Sequence, residues 1–594
     1  MATTTIAQPK TQGGGFLLET TTPEDVFTPE DFTAEHRAIA RTTDEFWAKE
    51  VAPNLEAIQH QEPGVALSIL RKSGQLGLTG VILPEKFGGM EMDLTSAMMV
   101  AEGVSRDGSY SAWHGAHTGI GTLPLLMFGN DEQKQRYLPK LATAEMVAAY
   151  CLSEPQAGSD SLAARTRADL SEDGKHYILN GQKMWITNGG AADLYTIFAK
   201  VGGEKFTAFL VERSYPGVNP GAEEKKMGIK GSSTTAIYLD NVKVPVENVL
   251  GEIGRGHIIA FNILNLGRLK LGPFAIGGSK EVLRVSLKYS KERKAFGKSI
   301  GEFGMIQHKL AEMAIQIFAA ESMSYRVVGL IEGHMPGFSW DHASAAQTML
   351  KAVEEFAAEC SYIKIFASEM LDYVTDEGVQ IHGGYGFHQD YAVERAYRDS
   401  RINRIFEGTN EINRLLATGM LLKRAQRGQL GLVDAVKKLQ AEMVGAPVPA
   451  SNGGGAFSGE AKLAANAKKV ALFALGVGYQ RFGSGLEEQQ EVLAGITECA
   501  MNAFAMESVL LRCRKMAANG RGALAADMCA VFLREAMEKI ESSARNVAAA
   551  CAEGDALRMS LAALKRFTKF EPVNAIALRR SIAERLLAAE HYSV

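Results

Sequence analysis

The chain is organised around the stretch Arg401-Ile402-Asn403-Arg404-Ile405-Phe406-Glu407-Gly408-Thr409-Asn410-Glu411. Its Thr-Asn pair can cap a helix that starts there, and its glycine lets a ligand approach the backbone. The two apolar residues before Glu407 should partly desolvate the carboxylate and raise its pKa toward that of a general base. The alternative is an ordinary glutamate before a turn. Glu407 is therefore a candidate catalytic base, and this assignment needs supporting evidence from other motifs.

The composition is that of a large globular protein. Its 594 residues suffice for three or four domains. The 64 basic and 68 acidic residues give a net charge of -4, which argues against nucleic acid as a partner. Six scattered cysteines indicate a reducing compartment. The start from Met1 to Gly15 lacks the apolar core of a signal peptide, and no apolar run is long enough to span a membrane. We therefore expect a cytoplasmic protein.

Changes in sequence pattern predict a multidomain α+β fold. We expect an N-terminal helical domain, a middle β domain that is barrel- or sandwich-like, a C-terminal helical bundle and an extra C-terminal helical domain. The predicted bounds are 1–27 for a flexible leader, 28–147 and 148–252 for the first two domains, 253–427 for the bundle with the catalytic base, and 428–594 for the appended domain. A Gly/Pro-rich segment at about 445–459 is the expected linker.

Capping and turn residues predict where some elements begin. Thr28-Pro29-Glu30-Asp31 combines a cap, a first-turn proline and acidic residues, which predicts a helix start. Asn180-Gly181 is a hairpin-type pair. It predicts a turn that separates two strands, Tyr177–Leu179 and Met184–Ile186.

Two motifs in the predicted β domain could contact a cofactor. The run from Tyr150 to Asp160 leaves a strand and enters a loop of small residues, whose donors could hold a phosphate or a planar ring. Trp185 and the hydroxyl of Thr187 end a second strand, which suits stacking on a flavin or adenine. The alternatives are a surface turn for the first motif and a core tryptophan for the second.

Two further motifs lie in the predicted helical bundle. Lys291–Lys298 joins basic side chains to an aromatic residue and could bind a pyrophosphate, although a solvated helix end is the alternative. Gln380–Phe387 is rich in glycine, but no strand precedes it, so it is not a dinucleotide-binding fingerprint. His114 and His117 lie one helical turn apart without a third ligand, so we interpret them as structural and predict no metal site.

Together these motifs resemble the acyl-CoA dehydrogenase family over roughly residues 30–425, because five of them recur in the family's order. The appended domain, Glu224–Lys230 and Ile263–Arg268 are similar to the very-long-chain branch. The resemblance implies an FAD enzyme and homodimer that oxidises long-chain acyl-CoA to trans-2-enoyl-CoA in fatty acid β-oxidation. It also implies electron-transferring flavoprotein as the acceptor.

The resemblance also implies roles for individual residues. The cofactor-binding residues it implies are Tyr150, Cys151, Leu152, Ser153, Ser159, Trp185, Ile186, Thr187, Thr409 and Glu411, with Arg293, Phe296, Gln380, Gly383 and Gly384 reaching the FAD of the partner subunit. The substrate-binding residues it implies are Ser159, Asn265, Arg268, Glu407, Gly408, Ala112 and Ala116. Ser153 replaces a usual threonine, and Asn265 replaces an aspartate of several relatives. Some relatives carry the base where Gly267 stands here, which leaves Glu407 as the base.

Two alternative functions stay open. An acyl-CoA oxidase would use the same residues and return its electrons to oxygen. A non-catalytic acyl-CoA-binding scaffold would need no base, so Glu407 argues against it.

Two finer expectations concern substrate length and the appended domain. Ala112 and Ala116 share one helical face where the acyl tail should run, which predicts an open floor and a preference near palmitoyl-CoA; the alternative is that they only allow close helix packing. In residues 460–482, an apolar stripe that includes Leu463 and Phe473 could contact an anionic membrane surface. Packing within the protein is the favoured alternative for this stripe.

Overall fold

The computed structural model describes residues 11–444 and 456–594. The N-terminal domain consists of short helices around a buried core that includes Tyr110 and Leu138. These helices are α1 (Ala34–Phe46), α2 (Leu55–Gln59), α3 (Val65–Gln75), α4 (Leu94–Gly103), α5 (Gly108–Ala116), α6 (Leu123–Phe128) and α7 (Asp131–Ala142). A π-helical turn, His117–Gly121, bends the chain between α5 and α6.

The first long helix begins later than the sequence predicts. Thr28 caps only a 3-10 turn, Pro29–Asp31. The Thr33 hydroxyl then accepts a hydrogen bond from the His36 N–H and starts α1. The predicted signal therefore marks a separate turn, because a second capping residue, Thr33, follows shortly after that turn ends.

Residues 11–32 form an ordered N-terminal clasp, so the predicted flexible leader is wrong for residues 11–27. The N–H groups of Gly13 and Gly14 donate to the carboxylates of Glu355 and Glu359 at 2.9 and 2.7 Å. The buried Phe16 ring packs edge-on against Phe504, with ring centroids 5.0 Å apart. These partners lie hundreds of positions away, where local sequence patterns carry no signal. The rest of the predicted leader, residues 1–10, lies outside the described residues.

The middle domain is built on an eight-stranded sheet that stays open and does not close into a barrel. Its strands are β1 (Ala148–Cys151), β2 (Arg167–Leu170), β3 (His176–Thr187), β4 (Leu194–Val201), β5 (Lys205–Glu212), β6 (Val218–Pro220), β7 (Thr234–Pro245) and β8 (Val249–Leu250). The order is β6-β7-β3-β2-β4-β5-β8, and β1 pairs in parallel with β4.

The turn predicted at Asn180-Gly181 is wrong. β3 runs through it without a break, and its register with β7 shifts between Leu179 and Gly181 and again between Lys183 and Ile186. An extra residue in one strand, a β-bulge, bends that strand without ending it; it lies in β7 at the first shift and in β3 at the second. Gly181 lets β3 pass close to another segment, because a Cβ there would lie 2.5 Å from the Thr166 hydroxyl.

The C-terminal bundle is built from long helices whose facing sides are almost wholly buried. It contains α8 (Gly256–Glu292), α9 (Gly304–Gly333), α10 (Ala345–Glu355), α11 (Ala357–His382), α12 (Ala392–Ser400) and α13 (Asn410–Gln426). A two-stranded ribbon, β9 (Lys294–Ala295) and β10 (Lys298–Ser299), follows α8. The predicted order of helical, β and helical domains is confirmed.

The appended domain is helical, as predicted. It consists of α14 (Leu432–Val444), α15 (Ser458–Phe482), α16 (Gln490–Ala518), α17 (Ala523–Cys551), α18 (Gly554–Thr568) and α19 (Ala575–Ala589). Most of the predicted linker, residues 445–455, lies outside the described residues.

The apolar stripe of residues 460–482 packs inside the protein. Leu463, Val470 and Phe473 on α15 are at most 4% exposed. Lys468 on the same helix pairs with Glu507 and donates to the Glu19 carbonyl at 2.9 Å. The favoured alternative, packing within the protein, therefore describes this helix, since its apolar face is covered by the rest of the chain. Among the helices of the described residues, none is long and apolar enough to cross a bilayer.

A buried charge network joins this domain to the bundle. The Glu321 carboxylate on α9 pairs with Arg512 at 2.6 Å and with Lys280, and it accepts a hydrogen bond from the Tyr592 hydroxyl at 3.1 Å. Arg512 also pairs with Glu30 of the clasp at 3.0 Å. Every member is therefore compensated, which buried ions require.

Candidate active site

Glu407 lies between a 3-10 turn, Arg401–Arg404, and the start of α13. Its φ of +60° places a non-glycine residue in the left-handed region, a strained conformation that the surroundings must enforce. The Thr409 hydroxyl caps α13 by accepting a hydrogen bond from the Ile412 N–H at 3.3 Å. The Asn413 amide donates to the carbonyls of Gly408 and Thr409 at 2.8 and 3.0 Å. These bonds hold the strained loop and aim the carboxylate.

The Glu407 carboxylate lacks the partners that a buried acid usually has. One side of the residue faces a cavity, yet its Oε2 is shielded from solvent and has no hydrogen-bond partner within residues 11–444 and 456–594. Burial raises the pKa of Glu407 to about 7, and the cations of Arg268 and Lys364 limit the rise. A carboxyl group with a pKa near neutrality can both accept and release a proton under physiological conditions.

Arg268 positions the base through the backbone. Its Nε donates to the Glu407 carbonyl at 3.1 Å, and its Nη1 donates to the Asn265 side-chain oxygen at 2.8 Å. Arg268 and Asn265 are only 4% and 5% exposed. The structure therefore places both beside the base, and their contact with acyl-CoA stays a prediction.

Gly267 makes room for the carboxylate. A Cβ at this position would lie 2.4 Å from Glu407 Oε2, closer than any real contact. The helix position that carries a base in some relatives thus abuts the Glu407 carboxylate itself. Side chains at positions 267 and 407 would occupy the same space, so a glycine at 267 accompanies a glutamate at 407.

A cavity of about 440 Å³ lies in front of Glu407, within the size range of ligand sites. Ala112 and Ala116 of α5 line it together with Thr187 at the end of β3 and Phe274 of α8. The predicted tail-lining alanines and one predicted cofactor residue therefore meet at the candidate base.

The two β-domain motifs are neighbours in space. The Met184 N–H donates to the Ser153 carbonyl at 3.0 Å, which joins the loop after β1 to β3. Below them, Lys183 forms a buried ion pair with Glu154 at 2.7 Å and anchors that loop. Tyr150, Cys151, Leu152 and Ile186 are buried at this junction, while Ser159 is exposed on the loop.

The second register shift is a bulge of β3, and it turns Trp185 outward. Its φ is +60° and it is 60% exposed, which is unusual for the largest apolar side chain at a strand end. Bulges commonly re-aim a side chain beside an active site. An exposed indole and the Thr187 hydroxyl next to the cavity fit the planar, hydrogen-bonding ring of a flavin.

The remaining predicted cofactor residues form a second exposed surface. Arg293 lies over the Tyr385 ring at 5.3 Å, so the end of α8 meets the glycine-rich segment after α11. Gln380, Gly383 and Gly384 are exposed there, and Phe296 is 96% exposed. At a rise of 1.5 Å per residue along α8, Arg293 lies roughly 37 Å from Arg268. Arg293 and Arg268 of one chain are therefore too far apart to contact the same reacting atoms of a ligand.

Other predicted residues have plain structural contacts. Glu411 is exposed in the first turn of α13. The ring of His117 contacts the Leu141 carbonyl at 2.9 Å and accepts from the Ala148 N–H at 3.2 Å, which ties the N-terminal domain to the sheet. His114 is buried beside it. Burial lowers the pKa of His117 to about 4, so the ring is neutral. Within the described residues, no cluster of metal-ligating side chains occurs.

Sequence reasoning missed two lysines and an asparagine around the base. Lys364 is buried on α11 and donates to the Asn410 side chain at 2.6 Å; burial lowers its pKa to about 7, opposed by Glu407. Lys270 of α8 lines the cavity. Asn413 supports the Glu407 loop. A lysine inside the apolar run Tyr362–Phe366 was the one available signal, because lysine is rarely buried without a role.

Comparisons with known proteins agree with this architecture. Sequence models of the acyl-CoA dehydrogenase domains match residues 33–145 for the N-terminal domain, 149–242 for the middle domain and 254–421 for the C-terminal domain. A further model, also described as an acyl-CoA dehydrogenase C-terminal domain, matches residues 466–566 of the appended domain.

Individual relatives are similar over different shares of their length. A probable acyl-CoA dehydrogenase of Bacillus subtilis is 47% identical over 98% of both chains. The mitochondrial very long-chain specific acyl-CoA dehydrogenase of Rattus norvegicus is 42% identical over 61% of this chain and 54% of its own. The crystal structure of acyl-CoA dehydrogenase complexed with FAD from Bacillus anthracis superposes with a TM-score of 0.97 at 46% identity, covering 98% of this chain and 100% of that one.

Proposed function

The chain belongs to the acyl-CoA dehydrogenase family, flavin-dependent oxidoreductases that use FAD, and from that premise we propose that it converts long-chain acyl-CoA to trans-2-enoyl-CoA with Glu407 as the base. One observation carries the proposal: a shielded, unpartnered carboxylate with a raised pKa faces a largely apolar cavity. A binding scaffold would need no such strained and destabilising group.

Glu407 would remove the proton from the carbon next to the thioester carbonyl. That proton is only weakly acidic, so the thioester oxygen needs donors as negative charge develops on it. The Glu407 N–H can be one of them, since no acceptor for it occurs among the residues that the structure describes. Arg268 and Asn413 both donate to the Glu407 carbonyl and so hold the residue that carries this donor and the base. FAD, when bound, supplies the acceptor for the hydride that leaves the next carbon.

The residues that would hold FAD come from two surfaces. Trp185, Thr187 and the Tyr150–Ser153 strand end would hold it beside the cavity of their own subunit. The Arg293 and Gln380–Gly384 surface would contact the FAD of a partner subunit, which makes the active assembly a homodimer. The separation of roughly 37 Å along α8 supports this division. Electron-transferring flavoprotein would then accept the electrons, and fatty acid β-oxidation is the pathway in which this reaction belongs.

Small side chains support a long acyl substrate. Ala112, Gly115, Ala116 and Gly119 line the cavity with small side chains, and the Phe274 ring lies against Gly115. Each methylene that becomes buried contributes about 0.8 kcal/mol, so several favour a long chain by orders of magnitude.

A single-turnover experiment tests the proposal. FAD-loaded protein is mixed without oxygen with acyl-CoAs from butyryl- to stearoyl-CoA, and the loss of flavin absorbance is followed by stopped flow. We expect bleaching that is fastest near palmitoyl-CoA. Failure of every acyl-CoA to bleach the flavin would refute the dehydrogenase, and an optimum at butyryl-CoA would refute the long-chain assignment. Oxygen consumption by the same preparation distinguishes an oxidase.

A further inference from the structure

Lys270 is a cation inside the acyl cavity that the dehydrogenation does not use. It lies on α8, one turn after Gly267, and lines the same cavity as Glu407. Its Nζ donates to the Thr118 hydroxyl at 2.5 Å, and its ammonium lies 5.6 Å from the centre of the Phe274 ring. No carboxylate pairs with it anywhere in residues 11–444 and 456–594.

The fold makes a place for this side chain. Thr118 and Gly119 belong to the π-helical turn His117–Gly121, and Gly119 has non-helical angles of φ -105° and ψ -107°. A Cβ at Gly119 would lie 3.7 Å from Lys270 Nζ, an ordinary contact distance, so the amine lies close to this turn without being crowded by it. Such turns within helices often occur at functional sites.

The hydrogen bonds leave Lys270 with free donors. The Thr118 hydroxyl donates to the His114 carbonyl at 2.8 Å, so it meets Lys270 only as an acceptor. An ammonium has three N–H donors, and two of them find no acceptor within the described part of the chain. Burial without a counter-charge lowers the pKa of Lys270 to about 7.

A purely alkyl chain would leave these donors unpaired and displace water from them, which is unfavourable. An anionic group would satisfy them and supply the missing counter-charge. Lys270, Thr118 and Gly119 also line a smaller apolar cavity of about 40 Å³ beside the main one. The Lys270 amine therefore lies at one defined place on the wall of the cavity that the acyl chain would occupy.

We propose that Lys270, held by Thr118, forms a subsite for a carboxylate carried on the acyl chain, so that dicarboxylic acyl-CoAs of one particular length are substrates. This inference rests on the proposed function, because it requires the acyl chain to occupy the cavity in front of Glu407. The reaction is unchanged: the α-proton and β-hydride leave as before, and the distal carboxylate takes no part in it.

The test compares specificity constants for CoA monothioesters of dicarboxylic acids with those of fatty acids of the same length, from six to sixteen carbons. Wild-type protein should prefer the dicarboxylic ester at one length. In Lys270→Met the ratio at that length should fall at least tenfold. The same substitution at half-buried Lys134 on α7, outside the cavity, should leave the ratio unchanged.

Each outcome bears on the proposal. If wild-type protein shows no length at which the dicarboxylic ester is preferred, or if Lys270→Met keeps the wild-type ratio, the subsite is refuted. The wild-type series decides this even if Lys270→Met fails to fold. If fatty acyl-CoAs bleach the flavin but dicarboxylic esters neither bind nor react, only the subsite fails. If neither series bleaches the flavin, the proposed function fails, and equilibrium binding of the two series still tests the subsite.

Discussion

Two glutamates, Glu407 and Glu321, have carboxylate oxygens shielded from solvent, and the protein treats them differently. Burial alone raises the pKa of a carboxyl group. At Glu321 this effect is overcome by Lys280 and Arg512, and the pKa falls to about 2. At Glu407 the effect prevails, and the pKa rises to about 7. The difference lies in the partners: Glu321 has both oxygens occupied, while Glu407 Oε2 has none. The compensated acid stabilises the assembly of domains, and the uncompensated one is available for chemistry.

The largest expected effect follows from neutralising the uncompensated acid. Glu407→Gln keeps the shape and removes the basicity, so flavin reduction by palmitoyl-CoA should fall by about 100- to 10,000-fold while FAD stays bound. The folded-state pKa of Glu407 lies above its unfolded value, so the ionised form destabilises the fold, and this penalty grows as pH rises through about 7. At pH 8 the variant should therefore be more stable, by up to about 3 kcal/mol. A rate of flavin reduction close to that of the wild type would show that Glu407 is not the base.

The same substitution at the compensated acid should have the opposite effect on stability. Glu321→Gln leaves the buried Arg512 and the half-buried Lys280 partly unpaired, and it should destabilise the protein by about 3–5 kcal/mol while the rate of flavin reduction is retained. The pKa of Glu321 is lowered in the fold, so its contribution is present above the unfolded value of 4.5 and is lost as pH falls toward about 2.

Chemical denaturation at pH 7 measures this loss. Glu281→Gln, which breaks a more exposed pair with Arg284, is the matched control and should cost less than about 1 kcal/mol. Equal losses of stability in the two variants would mean that the Glu321 network contributes no more than a more exposed ion pair.

A smaller effect is expected from crowding the base. Gly267→Ala places a methyl group where Glu407 Oε2 lies, and overpacking of this kind costs about 1–3 kcal/mol. We expect the reduction rate to fall by roughly ten- to a hundredfold, because the carboxylate must move from its aligned position. Gly419→Ala on α13 is the control, since a Cβ there meets no atom within 4 Å. An unaffected rate in Gly267→Ala would show that the carboxylate can shift without consequence.

The smallest effect is a pH dependence. The base must be ionised to act, so the rate of flavin reduction should increase about tenfold per pH unit below about 7 and level off above it. Lys364 holds the pKa of Glu407 down, so Lys364→Met should move the midpoint to higher pH. A flat profile between pH 5.5 and 8 in single-turnover measurements would contradict a base with this pKa.

The sequence predicted the Glu407 region, because local patterns encode it. Glu407, Gly408 and Thr409 lie in one continuous turn, and the helical and β textures on either side of it follow periodicity. The network around Glu321 was not predicted, because Glu30, Lys280 and Arg512 meet only through the tertiary fold. Lys270 and Lys364 were missed for a related reason: their helices are apolar on most faces, so periodicity does not show which face meets a cavity.

The errors in the β domain have a different physical cause. Asn180-Gly181 has the composition of a hairpin turn, and a continuous strand can carry the same pair where its backbone passes close to another segment, as β3 does at Thr166. Only the pairing of β3 with β7 distinguishes the two. Trp185 was predicted as a stacking residue, but its outward orientation depends on the second bulge. No residue pattern in the sequence predicts that bulge.

The N-terminal clasp has a consequence for how the protein is made. Glu30 and Arg512 are 482 positions apart, so this pair cannot form until nearly the whole chain has been synthesised. At roughly 5–20 residues per second, ribosomes need about 25–95 seconds to cover that interval. Throughout that time the apolar Phe16 has no Phe504 to cover it. The contacts of Gly13 and Gly14 with the bundle can form earlier, so we expect the clasp to dock in two stages and to be completed only after the appended domain has been synthesised.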